Sequence, residues 1–119
     1  MKQARLKQLV AQMQTHQIDG IALVPGPNLV YFSGIHSHLS ERPIVLFLPA
    51  NDAPAIVIPG LEAMKAQQAG IADDRIFAWS DEEGYINAFK QASDALGLSN
   101  YQLGVEHLHM RVLELHTLQ

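Results

Sequence analysis

The stretch PIVLFLPANDAPAIVIPG, residues 43–60, carries two unbroken apolar runs, Ile44 to Leu48 and Ile56 to Ile58, on either side of a segment of turn residues. Successive side chains of a strand point to opposite faces, so a short run that is apolar at every position reads as a strand covered on both sides. Pro49, Asn51, Asp52 and Pro54 fix backbone angles or bond their own backbone, which suits a hairpin or a tight loop. Two adjacent, antiparallel strands are expected here.

On the amino-terminal side, Leu6, Leu9, Val10 and Met13 recur at helical spacing, with Lys7, Gln8, Gln12 and Gln14 opposite them, predicting an amphipathic first helix. Asp19-Gly20 breaks it. Ile21 to Val24 reads as another strand covered on both faces, stopped by Pro25-Gly26-Pro27-Asn28. On the carboxyl-terminal side, Leu61 to Ala69 is built from helix formers and closed by Gly70. Arg75 to Trp79 reads as a strand, and Ser80-Asp81-Glu82-Glu83 has the reciprocal capping spacing that marks a helix start. Tyr85, Ile86, Phe89 and Leu96 would be the apolar side of that helix, ended by Gly97. A short strand at Leu103 to Val105 and a helix over Leu108 to Leu118 complete the pattern. About five strands alternating with about four helices is the pattern of a layered α/β domain.

Composition narrows the function. A chain of 119 residues, 48% of them hydrophobic, buries one core and makes one domain. Its net charge of −4 and its eight scattered Lys and Arg residues argue against nucleic acid, which calls for a clustered basic surface. No apolar run is long enough to span a bilayer, and the amino terminus alternates polar and apolar residues where a signal peptide would be uniformly apolar. A cytoplasmic location without membrane contact is expected. The absence of cysteine fits a reducing compartment and excludes a thiolate zinc site, a disulfide framework and a cysteine nucleophile. The final stretch EHLHMRVLELHTLQ stops inside a helical pattern with no capping glycine or polar tail, which reads as a fragment cut just after a domain.

Few residues carry a chemical signal. His36-Ser37-His38 and His107-Leu108-His109 each place two imidazoles on one face of an extended chain, but neither Glu41 nor Glu106 is assigned as a further metal ligand. Solvated histidines are the plainer reading. The turn Pro25 to Asn28 lacks the glycine pattern of a dinucleotide site, and its prolines remove backbone donors. Ser33, between Phe32 and Gly34, does not make a hydrolase nucleophile elbow. Asp81, Glu82 and Glu83 complement the positive end of a helix, and Trp79 reads as a core or interface anchor. What remains is NLVYFSGIHSHLSERP, residues 28–43, a polar segment joining buried strands, where binding residues tend to sit on a rigid scaffold.

The order of these segments resembles a known family. Asn28 to Gly34, then Glu41-Arg42-Pro43 leading into IVLFLP, then AIVIP followed by Leu61-Glu62, is similar to the amino-terminal domain of the creatinase, prolidase and aminopeptidase P family. IDGIALVPGP before it and the strand ending in Trp79-Ser80-Asp81 after it extend the resemblance over almost the whole chain. Phe32 departs from the family, where leucine is more frequent. The resemblance implies a three-layer α/β/α fold with a mixed, ribonuclease H-like sheet. It also implies that residues 1–119 are a single non-catalytic domain preceding a pita-bread catalytic domain absent from this chain. There, two aspartates, a histidine and two glutamates would hold two metal ions, manganese, cobalt or zinc, and none of those ligands has a matching position here. The implied parent is a metallopeptidase acting on Xaa-Pro dipeptides, longer Xaa-Pro peptides or a non-peptide amide, with the catalytic domain and a second copy as partners. A free-standing binding or oligomerisation module is the alternative.

On that resemblance Tyr31, Phe32, Gly34 and Pro43 anchor a loop, Ile35 to Arg42, at the substrate mouth. Arg42 would offer a fork of donors to a substrate carboxylate, and His36 or His38 would contact a peptide end, with Glu41 beside them. The plainer expectation is a surface loop in which Arg42 pairs with Glu41 or with backbone.

Overall fold

The computed structural model describes residues 1–38, 40–106, 110 and 112–118. Its strands are β1 (Gly20–Leu23), β2 (Val45–Pro49), β3 (Ala55–Pro59), β4 (Ile76–Trp79) and β5 (Leu103–Val105), and its helices are α1 (Gln3–Thr15), α2 (Pro27–Ser33), α3 (Ala63–Gln68), α4 (Ile86–Leu96) and α5 (Val112–Leu118). The sheet order is β4-β3-β2-β1-β5. β2 runs antiparallel to both β1 and β3, as the turn residues between the two apolar runs predict, while β4 and β5 lie parallel to β3 and β1. The sheet is therefore mixed.

Every residue of β2 and of β3 is buried, so the period of two sorts their side chains into two cores. Val45, Phe47, Ala55 and Val57 pack with Ala88, Phe89, Ala92 and Leu96 of α4. Leu46, Leu48, Ile56 and Ile58 face the other way, onto Leu29 of α2, Ala66 of α3 and the α1 residues Leu6 and Leu9. Helices on both faces of one sheet make the α/β/α layering. Trp79, 7% exposed, belongs to the α4 side, where its ring meets Tyr85 edge-on at 5.6 Å and Tyr85 meets Phe89 at 5.9 Å. Its Nε1 has no hydrogen-bond partner among the described residues.

Four local expectations are corrected. Pro27–Ser33 forms a helix where the sequence reading has an irregular segment: Pro27 takes the first turn, where its missing N–H costs nothing, and Gly34 closes it at φ 78°. The Ser80 to Glu83 capping pattern closes a turn and not the start of α4. Ser80 Oγ accepts from the Glu83 N–H at 3.3 Å, but Gly84 at φ 74° then turns the chain, and the helix begins at Ile86. Ile86 itself is 51% exposed, because Ala88, Phe89, Ala92 and Leu96 already define the buried face. The helix expected over Leu61 to Ala69 opens with a 3₁₀ turn, Gly60–Glu62, before α3.

Candidate substrate-mouth cleft

His36, Ser37, His38, Ser40 and Arg42 line a cleft of about 580 Å³. Pro27 and Val30 of α2 contribute to its lining, as do Leu61, Glu62 and Lys65. The chain is buried just before these residues at Ile35, 3% exposed, and just after them at Pro43 and Ile44. Ile35 is thus an anchor and not, as the sequence reading has it, the first projecting residue. Phe32 packs against the sheet, whereas Tyr31 is 47% exposed and does not anchor the segment. The reason is helical geometry: neighbours on a helix point about 100° apart, so one of the pair faces out. Tyr31 instead meets Phe32 edge-on at 4.9 Å and lies 4.3 Å beneath the Arg5 guanidinium, which also donates to the Tyr31 carbonyl at 2.7 Å.

Three polar side chains knit the cleft together. Glu62 Oε1 accepts from Ser37 Oγ and from Lys65 Nζ, each at 2.8 Å, and Lys65 Nζ also donates to the His36 carbonyl at 2.9 Å. Burial pushes the Glu62 carboxyl up, but the hydrogen bonds from Lys65 and Ser37, followed by the charges of Lys65 and His38, outweigh it and hold the carboxyl below its ordinary 4.5. The sign of the linkage follows. A carboxyl depressed in the folded state contributes stability above its unfolded value, lost as pH falls from about 4.5 through the folded value. Carbon-13 titration of the Glu62 carboxyl is expected to show a midpoint below 4.5, moving up in Lys65→Met. A midpoint at or above 4.5 would mean that burial wins.

Arg42 finds a partner other than the two the sequence suggests. Its Nε and one Nη donate to the two carboxylate oxygens of Asp81, at 2.9 and 2.8 Å, across 39 positions of sequence. That hydrogen-bonded contact raises the Arg42 pKa and lowers that of Asp81, and exposed Glu41 adds an attraction through space. The Arg42 N–H donates to Ser40 Oγ at 3.1 Å, fixing the backbone from which the side chain extends. His36 and His38 are exposed on the cleft wall. The second histidine pair, His107 and His109, lies outside the described residues. Among the described residues no three His, Asp or Glu side chains converge where they could hold a metal ion, and no helix is long and apolar enough to cross a membrane.

A second carboxylate works from beneath. Glu106, just past β5, accepts from the Val24 N–H at 2.8 Å through Oε1 and from Asn28 Nδ2 at 3.0 Å through Oε2. It thereby joins the end of β5 to the turn that starts α2, and so fixes the wall formed by Pro27 and Val30. Sequence reasoning singled out neither Ser37 nor Lys65. Glu62 and Lys65 are at least legible as an i, i+3 pair on a helix.

Residues 5–119 match the family model described as the Creatinase/Prolidase N-terminal domain. A probable dipeptidase, PepE, of Mycobacterium tuberculosis is 36% identical over 66 residues, which cover 54% of this chain and 18% of that protein. Among solved structures, a dipeptidase from Pyrococcus horikoshii OT3 superimposes with a TM-score of 0.81 at 23% identity, covering 96% of this chain and 31% of that one. Dipeptidase PepE from Mycobacterium ulcerans gives a TM-score of 0.75 at 26% identity, covering 98% and 31%. The chain therefore spans about a fifth of the length of the curated relatives it matches.

Proposed function

We propose, on the premise that the chain belongs to the creatinase/prolidase N-terminal domain family, that it is the non-catalytic domain of a larger peptidase and shapes the mouth through which a proline-containing substrate enters. The observation that carries this reading is the cleft itself. Its lining brings together the imidazoles of His36 and His38, Arg42 and Lys65. Cationic and polar groups held at a cleft rim suit the carboxylate and the peptide end of a short peptide. The relatives named as dipeptidase PepE support the reaction class.

In this scheme the chain binds and orients substrate. Two divalent metal ions, manganese, cobalt or zinc, would supply an activated hydroxide in the catalytic domain. The described residues of this chain do not fit such a metal pair. Arg42 and the histidines would fix the substrate end, and the segment 36–42, tethered at Ile35 and Pro43, would close over the reacting bond and exclude water. Leu61, which lines the cleft, and Met64 are 94% and 66% exposed and three residues apart, and they offer apolar surface to a second copy in a homodimer.

The test is an assay with Xaa-Pro dipeptides and added manganese. The chain alone is expected to show no turnover, and the longer protein that carries it is expected to hydrolyse them. Turnover by the chain alone, abolished by a substitution within it, would overturn the reading. A longer protein lacking hydrolysis altogether would favour a binding or oligomerisation module.

A further inference from the structure

Arg42 stands on a ridge between two depressions. One is the cleft already described, and the other, about 370 Å³, lies over the ends of β3 and β4 and is lined by Trp79, Ser80 and Asp81. Arg42 lines both. Its guanidinium is nonetheless committed to the second, because its Nε and Nη edge is occupied by the two oxygens of Asp81. While that pairing lasts, the charge is neutralised, and a further carboxylate brought to Arg42 would meet Asp81 as a like charge.

We propose that Asp81 is a latch: it holds Arg42 away from the cleft in the empty domain and releases it to a carboxylate that enters. The proposal rests on the reading of the cleft as a substrate mouth and adds a competing residue to it. The supports at both ends suit an exchange. Asp81 sits in a turn closed by Gly84 N–H on the Ser80 carbonyl at 2.8 Å, and the Arg42 backbone is held by Ser40 and by buried Pro43. Only the arginine side chain has to swing. The two side chains are 47% and 63% exposed, so water screens the pair and keeps it weak enough to be traded.

The test follows the Arg42 Nε–H resonance of this chain during titration with N-acetylproline, with N-acetylprolinamide as the uncharged control. Asp81→Asn keeps the size of the side chain and removes its charge. Its half-saturation concentration is expected to fall about two- to fivefold below that of the wild type. Asp81→Ala should agree, and Arg42→Gln should abolish the response in either background. Amide spectra unchanged away from residues 80–84 check that each variant is folded. Equal half-saturation in wild type and Asp81→Asn overturns the latch and leaves the cleft reading standing. Absence of any Arg42-dependent response, in Asp81→Asn as well, overturns the cleft reading and the latch with it. An equal response to the prolinamide shows that no carboxylate is being recognised and likewise overturns the latch.

Discussion

Phe47→Ala is expected to destabilise the domain by about 3–5 kcal/mol and to lower its urea midpoint accordingly. Phe47 is 1% exposed on β2, the middle strand of the sheet. Its neighbours in register are Ala22 on β1 and Ala55 on β3, both fully buried, so that one ring covers the ground of three strands on the α4 face. Alanines cannot lean into the space the ring would leave, and the strands around them are held by their own ladders. The cavity therefore stays open, which places the loss toward the upper part of that range. Leu61→Ala is the internal contrast: at 94% exposure it should change stability by less than about 0.5 kcal/mol. Circular dichroism in urea measures both, and a Phe47→Ala loss below about 1 kcal/mol would contradict the packing described.

On the proposed function, Arg42→Ala in a longer protein that carries this domain is expected to lower kcat/KM for an Xaa-Pro dipeptide about tenfold to a hundredfold. The guanidinium offers two parallel donors to a carboxylate, and alanine leaves that carboxylate without them. Metal content should stay constant, since the described residues contain no metal-ligand group. Folding should hardly change, because the side chain is about half in solvent and its ion pair with Asp81 is a surface one. Wild-type kinetics in both Arg42→Ala and His38→Ala would leave the loop as ordinary surface, and an unfolded Arg42→Ala would reassign Arg42 to structure.

The sheet was legible because its strands announce themselves. Val45 to Leu48 and Ile56 to Ile58 have no polar position at which a helix could show its exposed face, and the turn residues Asn51, Asp52 and Pro54 mark the connection between them. Helix α2 was not legible. Seven residues make barely two turns, too few for Leu29, Phe32 and Ser33 to establish a period, although Pro27 and Gly34 stand where a helix begins and ends. The capping pattern at Ser80 was read correctly as local bonding and incorrectly as the start of a helix, because it cannot report what Gly84 does next. At the cleft, His36, His38 and Arg42 were visible through their chemistry. Asp81 was visible only as an acidic residue near a helix, since a partner 39 positions away is chosen by the fold and leaves no mark on the local pattern. The anchoring role divided in the same way: Pro43 is buried, Phe32 is partly buried against the sheet, and Tyr31, adjacent to Phe32, is turned outward by the helix that the sequence did not show.

Glu106 bonds the Val24 N–H from 82 positions further along the chain, and β5, just before it, supplies the parallel partner of β1. A ribosome delivers those groups in order. At about 5–20 residues per second, β1 has been made for about 4–16 s before its neighbour exists. The meander of β1, β2 and β3 is close in sequence and can form within that interval, whereas closing so long a loop belongs to the end of folding. Until then the half-made chain shows an open strand edge at Gly20 to Ala22, flanked by the apolar Leu23 and Val24, to every other nascent copy on the same message. Synthesis rate, and not the stability of the finished domain, sets how long that edge is on offer.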